Sequence, residues 1–154
     1  MQEIITIFRK QAVFTGEVLE HDGSQVVITH IFSAEESADY PDYLKIEAVC
    51  QVVGAASDYD DYEPIFTFEE RYDLSKGTEP ELFERIGEVY YDEGLCGMIT
   101  NILDIKYDRG YLILVLEATL IEPWNSERIQ RFVKYKRVGK FGVIDGKSES
   151  DSQE

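Results

Sequence analysis

Short runs of apolar, β-branched and aromatic residues, separated by turn residues, constrain the fold of this chain more than any other feature. Residues 44–53 alternate between apolar and polar side chains, as a strand with one buried face does. Asp22-Gly23 separates two other apolar runs, and this dipeptide is typical of a tight hairpin turn. The chain has 154 residues, which is enough for one domain with a sizeable core. The sequence therefore predicts a fold dominated by strands.

The sequence predicts several strands and one principal helix. The strands fall at residues 4–8, 12–20, 25–32, 44–53, 65–72, 98–107, 111–121 and 128–138. The helix falls at about residues 79–93, because Thr78-Glu79-Pro80-Glu81 has the form of a capping box and Gly94 can end a helix. Residues 128–138 are ambiguous, since Ser126 could cap a helix, but their β-branched and aromatic composition favours a strand. We therefore expect an α+β fold, with an antiparallel sheet or partial barrel and the helix packed on one face.

The chain is expected to form a single α+β domain over residues 1–146, followed by a disordered tail at 147–154 that contains no apolar residue. We expect no internal repeat. The N-terminus lacks the basic-then-apolar order of a signal peptide, and the longest apolar run, 111–121, is shorter than a membrane span. Cys50 and Cys96 form no C-x-x-C pair and are expected to be buried thiols. We expect a cytoplasmic protein with no cofactor.

Charge is distributed unevenly along the chain. Asp and Glu outnumber Lys and Arg by 31 to 15, which gives a formal net charge of −16. Residues 35–73 hold 12 acidic and 2 basic residues. Clustered carboxylates attract basic partners, and exposed tyrosines are common at protein interfaces. The predicted partner-binding residues are therefore Asp58, Tyr59, Asp60, Asp61, Tyr62 and Glu63.

The same acidic segment has two other interpretations, a solvated turn and a calcium-binding loop. A loop of Asp, Tyr and Ser can be a solvated turn whose charge serves solubility alone. The spacing Asp58-x-Asp60-x-x-Glu63 has the oxygen density of a calcium loop, but Glu63 stands where an EF-hand loop needs glycine, and Pro64 follows it. We therefore expect no bound metal.

These features favour a non-enzymatic, acidic interaction protein. It would dock a basic protein partner, or assemble into a larger complex through sheet edges. Inhibitors, immunity proteins, nucleic-acid mimics and virion or scaffold components share this physical profile, and the sequence does not choose among them.

The first alternative is single-stranded nucleic-acid binding through residues 128–141. Residues 125–147 hold 7 basic and 2 acidic residues, and basic side chains interleaved with aromatic rings can neutralise a backbone and stack on bases. The net charge of the whole chain opposes this interpretation, and a basic strand can instead pair with acidic neighbours. The candidate residues are Arg131, Phe132, Lys134, Tyr135, Lys136 and Arg137.

The second alternative is a small hydrolase-like enzyme built around His30. His21 and His30 are the side chains whose unperturbed pKa lies near neutrality. His21 falls at the predicted hairpin turn, and His30 lies in an apolar strand, where a structural role is more common. Catalysis would need a pocket that holds His30 and a carboxylate, so we do not expect an enzyme.

Overall fold

The computed structural model describes residues 1–55, 63–77 and 85–137. Eight strands run in chain order: β1 (Gln2–Arg9), β2 (Val18–His21), β3 (Ser24–Glu36), β4 (Leu44–Val52), β5 (Ile65–Asp73), β6 (Val89–Asp92), β7 (Leu95–Asp108) and β8 (Tyr111–Leu120). A 3-10 turn, Leu74–Lys76, follows β5, and residues 126–137 form a helix, α1. Residue contacts divide the chain into two compact units. Unit 1 comprises Met1–Ser57 and Pro123–Glu154, and unit 2 comprises Asp58–Glu122.

Unit 1 is a four-stranded antiparallel sheet with α1 packed on one face. The strand order is β1-β4-β3-β2. Consecutive residues of a strand face opposite sides of the sheet, so Val26 and Val27 belong to different clusters. One cluster is formed by strand residues alone: Ile5, Val26, Ile28, Ala48 and Cys50. The other joins Val18 and Val27 of the sheet to Ile129 and Val133 of α1.

Unit 2 is a second four-stranded antiparallel sheet, with strand order β5-β8-β7-β6. Its cluster of buried residues, Ile99, Leu112, Leu114 and Leu116, lies on one face of β7 and β8. Phe68, Tyr72 and Ile102 pack against this cluster. The stretch of β7 beyond Ile102, residues 103–108, is exposed, whereas the facing residues Leu112, Ile113 and Leu114 of β8 are buried.

The two units repeat one topology, so the expectation that the chain has no internal repeat is wrong. In each unit the first strand pairs with the fourth, and the second to fourth strands form a meander. The third strand carries two register shifts in each case, at Ile28/His30 and Ile31/Ser33 in β3. The shifts in β7 fall at the equivalent places, Ile99/Asn101 and Ile102/Asp104.

Individual hydrogen bonds repeat as well. The Gly16 amide donates to the Ile28 carbonyl at 2.7 Å, and the Gly87 amide donates to the Ile99 carbonyl at 2.8 Å. The Thr29 hydroxyl donates to the Val49 carbonyl at 3.2 Å, and that of Thr100 donates to the Glu117 carbonyl at 3.3 Å. The identical residue pairs are Gly16/Gly87, Glu17/Glu88, Val18/Val89, Gly23/Gly94, Ile28/Ile99, Thr29/Thr100 and Ile31/Ile102.

The predicted class, a strand-dominated α+β fold with one principal helix, is confirmed, but the helix lies elsewhere. Val89–Asp92 is strand β6, so the end of the predicted helix at 79–93 is wrong, and residues 78–84 lie outside the described residues. The strand favoured at 128–138 is also wrong, because 126–137 is α1. Asn125 caps this helix: its side-chain oxygen accepts from the Arg128 amide at 2.8 Å. The single domain over 1–146 stays a prediction, and the tail at 147–154 lies outside the described residues.

Candidate functional site

The predicted partner-binding run is described only at its end. Residues 58–62 lie outside the described residues, whereas Glu63 is exposed before β5. Glu63 lines a cavity of about 100 Å³ with Phe66, Tyr90, Asp92, Leu95, Cys96 and Leu120. Burial raises the pKa of the Cys96 thiol to about 11. This cavity therefore holds a protonated thiol at neutral pH, which is a poor nucleophile.

The six residues proposed for nucleic-acid binding lie on α1, and two of them attach the helix to the sheet. Phe132 packs against the cluster that contains Val18 and Val27 of the sheet, and the Lys136 ammonium donates to the Val18 carbonyl at 2.8 Å. The exposed members are Arg131, Lys134, Tyr135 and Arg137. A basic helix with its main ring packed in the core does not offer the row of stacking side chains that a single-strand groove uses.

A cavity of about 420 Å³ lies beside α1 and is lined by Phe14, Gly16, Glu17, Val18, Phe132, Tyr135 and Lys136. One Glu17 carboxylate oxygen, Oε1, accepts from Arg9 Nη1 at 2.6 Å. The other, Oε2, is buried with no hydrogen-bond partner in the described part of the chain. That oxygen is an acceptor for water or another donor that enters the cavity.

His30 does not lie in a closed pocket. It is exposed on β3, at the place that Asn101 occupies on β7. His21 pairs with the Asp22 carboxylate at 3.4 Å beside the hairpin turn. Among residues 1–55, 63–77 and 85–137 no group of three or more His, Cys, Asp or Glu is arranged to hold a metal ion.

An exposed group of aromatic and acidic residues lies at the end of the β3–β4 hairpin, and we call it the acid–aromatic patch. Tyr40 is 52% exposed, and its ring centroid lies 5.3 Å from that of Phe8 and 6.1 Å from that of Tyr43. The carboxylates of the patch are Glu35, Glu36, Asp39 and Asp42. Glu35 lies 3.7 Å from Lys45. The other three form no ion pair within the described residues.

Hydrogen bonds within the loop hold the patch in place. The Ser37 amide donates to the Tyr43 carbonyl at 2.9 Å, which closes the hairpin. The Ser37 hydroxyl accepts from the Tyr40 amide at 3.1 Å, and the Tyr43 amide donates to the Tyr40 carbonyl at 3.2 Å. Lys10 lies 5.1 Å from the centroid of the Tyr43 ring. The Tyr40 and Tyr43 rings are thereby presented to solvent on a structured loop, next to the exposed Phe8 ring of β1.

The repeat shows that the fold does not require this loop. In unit 2 the equivalent hairpin closes between Asp108 and Tyr111 with the two-residue turn Arg109-Gly110. Each connection ends in a tyrosine, Tyr43 in unit 1 and Tyr111 in unit 2. Each tyrosine ring has a cation near its face: Lys10 lies near Tyr43, and Arg71 lies 5.8 Å from the Tyr111 ring centroid. Unit 1 therefore has five residues, 38–42, where unit 2 has two, and these five include Asp39, Tyr40 and Asp42.

Sequence reasoning missed this patch, although a signal for it was present. Asp39-Tyr40-Pro41-Asp42-Tyr43 and the predicted run Asp58-Tyr59-Asp60-Asp61-Tyr62 share the pattern Asp-Tyr-x-Asp-Tyr. The second copy contains three aspartates and the first contains two, so acidic density favours residues 58–62 over residues 39–43.

Comparisons with protein-family models, with curated proteins and with solved structures found no match for this chain. In the described residues, no helix is both long and apolar enough to cross a membrane.

Proposed function

We propose that this protein is a non-enzymatic, acidic interaction module that docks a basic protein partner through the acid–aromatic patch. The observation that carries the proposal is an exposed ring, Tyr40, flanked by the carboxylates of Asp39 and Asp42 on a loop that unit 2 replaces with a two-residue turn. Loops held by a rigid scaffold commonly carry binding residues. The predicted residues 58–63, which repeat the Asp-Tyr-x-Asp-Tyr pattern, belong to the same proposal.

The two components of the patch have different roles in binding. Exposed tyrosine rings supply contact area at low cost in side-chain entropy, and buried aromatic anchors dominate the energy of many interfaces. Carboxylates that lack a cation in the free protein attract a positively charged surface and speed its encounter. The net charge of −16 adds to this attraction at low salt. Cys50 and Cys96 are buried thiols and not a disulfide, which supports action in a reducing compartment such as the cytoplasm.

The test is affinity capture with matched variants of the full-length chain. The patch variant carries Asp39→Asn, Tyr40→Ala and Asp42→Asn. The control carries Tyr91→Ala, Asp92→Asn and Glu93→Gln, which removes one exposed ring and two charges from unit 2. Native cell extract is treated with nuclease, and bound proteins are identified by mass spectrometry.

The proposal expects a basic protein that is retained by the wild type and the control and lost from the patch variant. Equal retention by all three chains would contradict it. If retention instead requires nucleic acid and is lost on Arg131→Gln and Lys134→Gln, the function belongs to the basic residues of α1.

A further inference from the structure

Among the described residues, no strand pairs with the distal half of β7, residues 103–108, on the side away from β8. β6 pairs with β7 only as far as Val89↔Met98, and beyond Ile99 the described residues place a strand on the β8 side alone. Asp108 and Tyr111 close a two-residue turn, and main-chain groups alternate in direction along an antiparallel strand. The backbone amide and carbonyl of Lys106 therefore hydrogen-bond to β8, whereas those of Ile105 and Tyr107 face away from β8.

Large apolar side chains lie along this edge in solvent. Leu103 is 46% exposed, Ile105 56% and Tyr107 77%. Ile105 and Tyr107 are register partners of Leu114 and Leu112, so they share the apolar face of the sheet. Natural sheets usually protect such an edge with charges or proline, because an open edge is a template for another strand.

Unit 1 provides an internal control for this feature. In β3, Ala34 and Glu36 occupy the positions equivalent to Ile105 and Tyr107 of β7. Both sheets have the same topology and the same register shifts, so the fold itself does not require apolar residues there. Phe32 occupies the place of Leu103, so the apolar residues of the edge that are specific to unit 2 are Ile105 and Tyr107.

The charges on the β7 edge of one copy are complementary to those on the same edge of a second copy. Asp104 and Lys106 lie on the face opposite Ile105, with 3.6 Å between their charged groups. If two copies of β7 pair antiparallel about Ile105, Asp104 of each copy lies opposite Lys106 of the other. If the pairing axis moves by one residue, Lys106 faces Lys106 and Asp104 faces Asp108, and like charges directly opposite one another are unfavourable.

We infer that the β7 edge is a self-association surface that binds a second copy of this chain. The two β7 strands pair antiparallel about a two-fold axis at Ile105, which forms an isologous interface. The backbone amides and carbonyls that face away from β8 hydrogen-bond across the axis, and Ile105 and Tyr107 become covered. Asp104 of each copy pairs with Lys106 of the other. This surface is separate from the acid–aromatic patch, so the inference does not depend on the proposed function.

The experiment measures the mass of the full-length protein by sedimentation over about a hundredfold range of concentration. The wild type is expected to shift from monomer to dimer as concentration rises. Lys106→Asp should raise the dimer dissociation constant about tenfold, since it sets two carboxylates opposite one another on each side of the axis. Combining Lys106→Asp with Asp104→Lys should restore association, because the opposite charges are then exchanged between the strands.

The control is Lys76→Asp, the same substitution at a side chain of unit 2 that is 81% exposed, and it should leave association unchanged. The charge exchange distinguishes a pairing surface from a folding defect, because a misfolded chain would not be rescued by a second substitution. A wild type that stays monomeric at every concentration, a dimer that tolerates Lys106→Asp, or an exchange that fails to restore the dimer would each overturn the inference.

Discussion

Gly16 and Gly87 occupy the same place in the two units, and their surroundings differ. Both have a backbone angle φ in the region that favours glycine, +95° and +92°. A Cβ at residue 16 would lie 2.5 Å from Cε1 of Phe132, whereas a Cβ at residue 87 would meet no atom of the described residues within 4 Å. The glycine in unit 1 therefore serves both the backbone turn and the close approach of α1, and the glycine in unit 2 serves the turn.

Alanine at these two positions should separate the two effects. Gly87→Ala is expected to cost about 1–2 kcal/mol through the backbone angle. Gly16→Ala should cost about 1–3 kcal/mol more, because the methyl group displaces Phe132. Urea unfolding of the two variants measures the difference, and equal losses would contradict the close contact.

Cys96 gives a prediction for the alkaline range. Burial raises its pKa in the folded chain from 9.0 to about 11, so the unfolded chain loses this proton first as pH rises. The stability that the thiol contributes is complete below about pH 9 and is lost as pH rises toward 11. The free energy of unfolding should fall more steeply across this range in the wild type than in Cys96→Ala. Parallel slopes in urea unfolding at successive pH values would contradict the burial of the thiol.

At the scale of elements, the sequence predicted strands better than it predicted the helix. Alternation located β4, and Asp22-Gly23 located the β2–β3 turn. The prediction failed for α1 because Phe132, Val133 and Tyr135 have high strand propensity. Ile129 and Val133 nevertheless have helical spacing, and both contact the sheet. Tertiary packing and the Asn125 cap outweigh local preference in this segment.

Gln51 is predicted to be the main polar attachment of the segment that leads into α1. Its amide group donates to the Trp124 carbonyl at 2.7 Å and accepts from the Trp124 amide at 3.0 Å. Gln51→Ala leaves both backbone groups without this partner and should cost about 1–3 kcal/mol. It should also speed hydrogen exchange in α1. Thr119→Ala, the exposed equivalent in unit 2, should change stability by less than about 0.5 kcal/mol, and a larger effect there would contradict the assignment.

At the scale of the whole molecule, the chain uses one scaffold twice and varies it locally. The repeat escaped sequence reasoning because the identical residues cluster around Gly16–Ile31 and Gly87–Ile102, where backbone angles and bulges restrict the choice of residue. Elsewhere many apolar residues satisfy a strand face, and connections of different length shift the alignment. The predicted partner-binding residues 58–63 stay a prediction, and the acid–aromatic patch at 35–43 was not predicted. The two proposed surfaces both lie where the units differ.

The most direct test of this account replaces Ser37–Tyr43 with Asp-Arg-Gly-Tyr, the connection that unit 2 uses at Asp108–Tyr111. Because the sheet already accommodates that turn, the exchanged chain should keep the circular dichroism spectrum and the thermal midpoint of the wild type to within a few degrees. Affinity capture from nuclease-treated extract should then lose the basic protein that the wild type retains. Retention of the same protein by the exchanged chain would contradict the acid–aromatic patch as the docking surface, and failure to fold would contradict the equivalence of the two units.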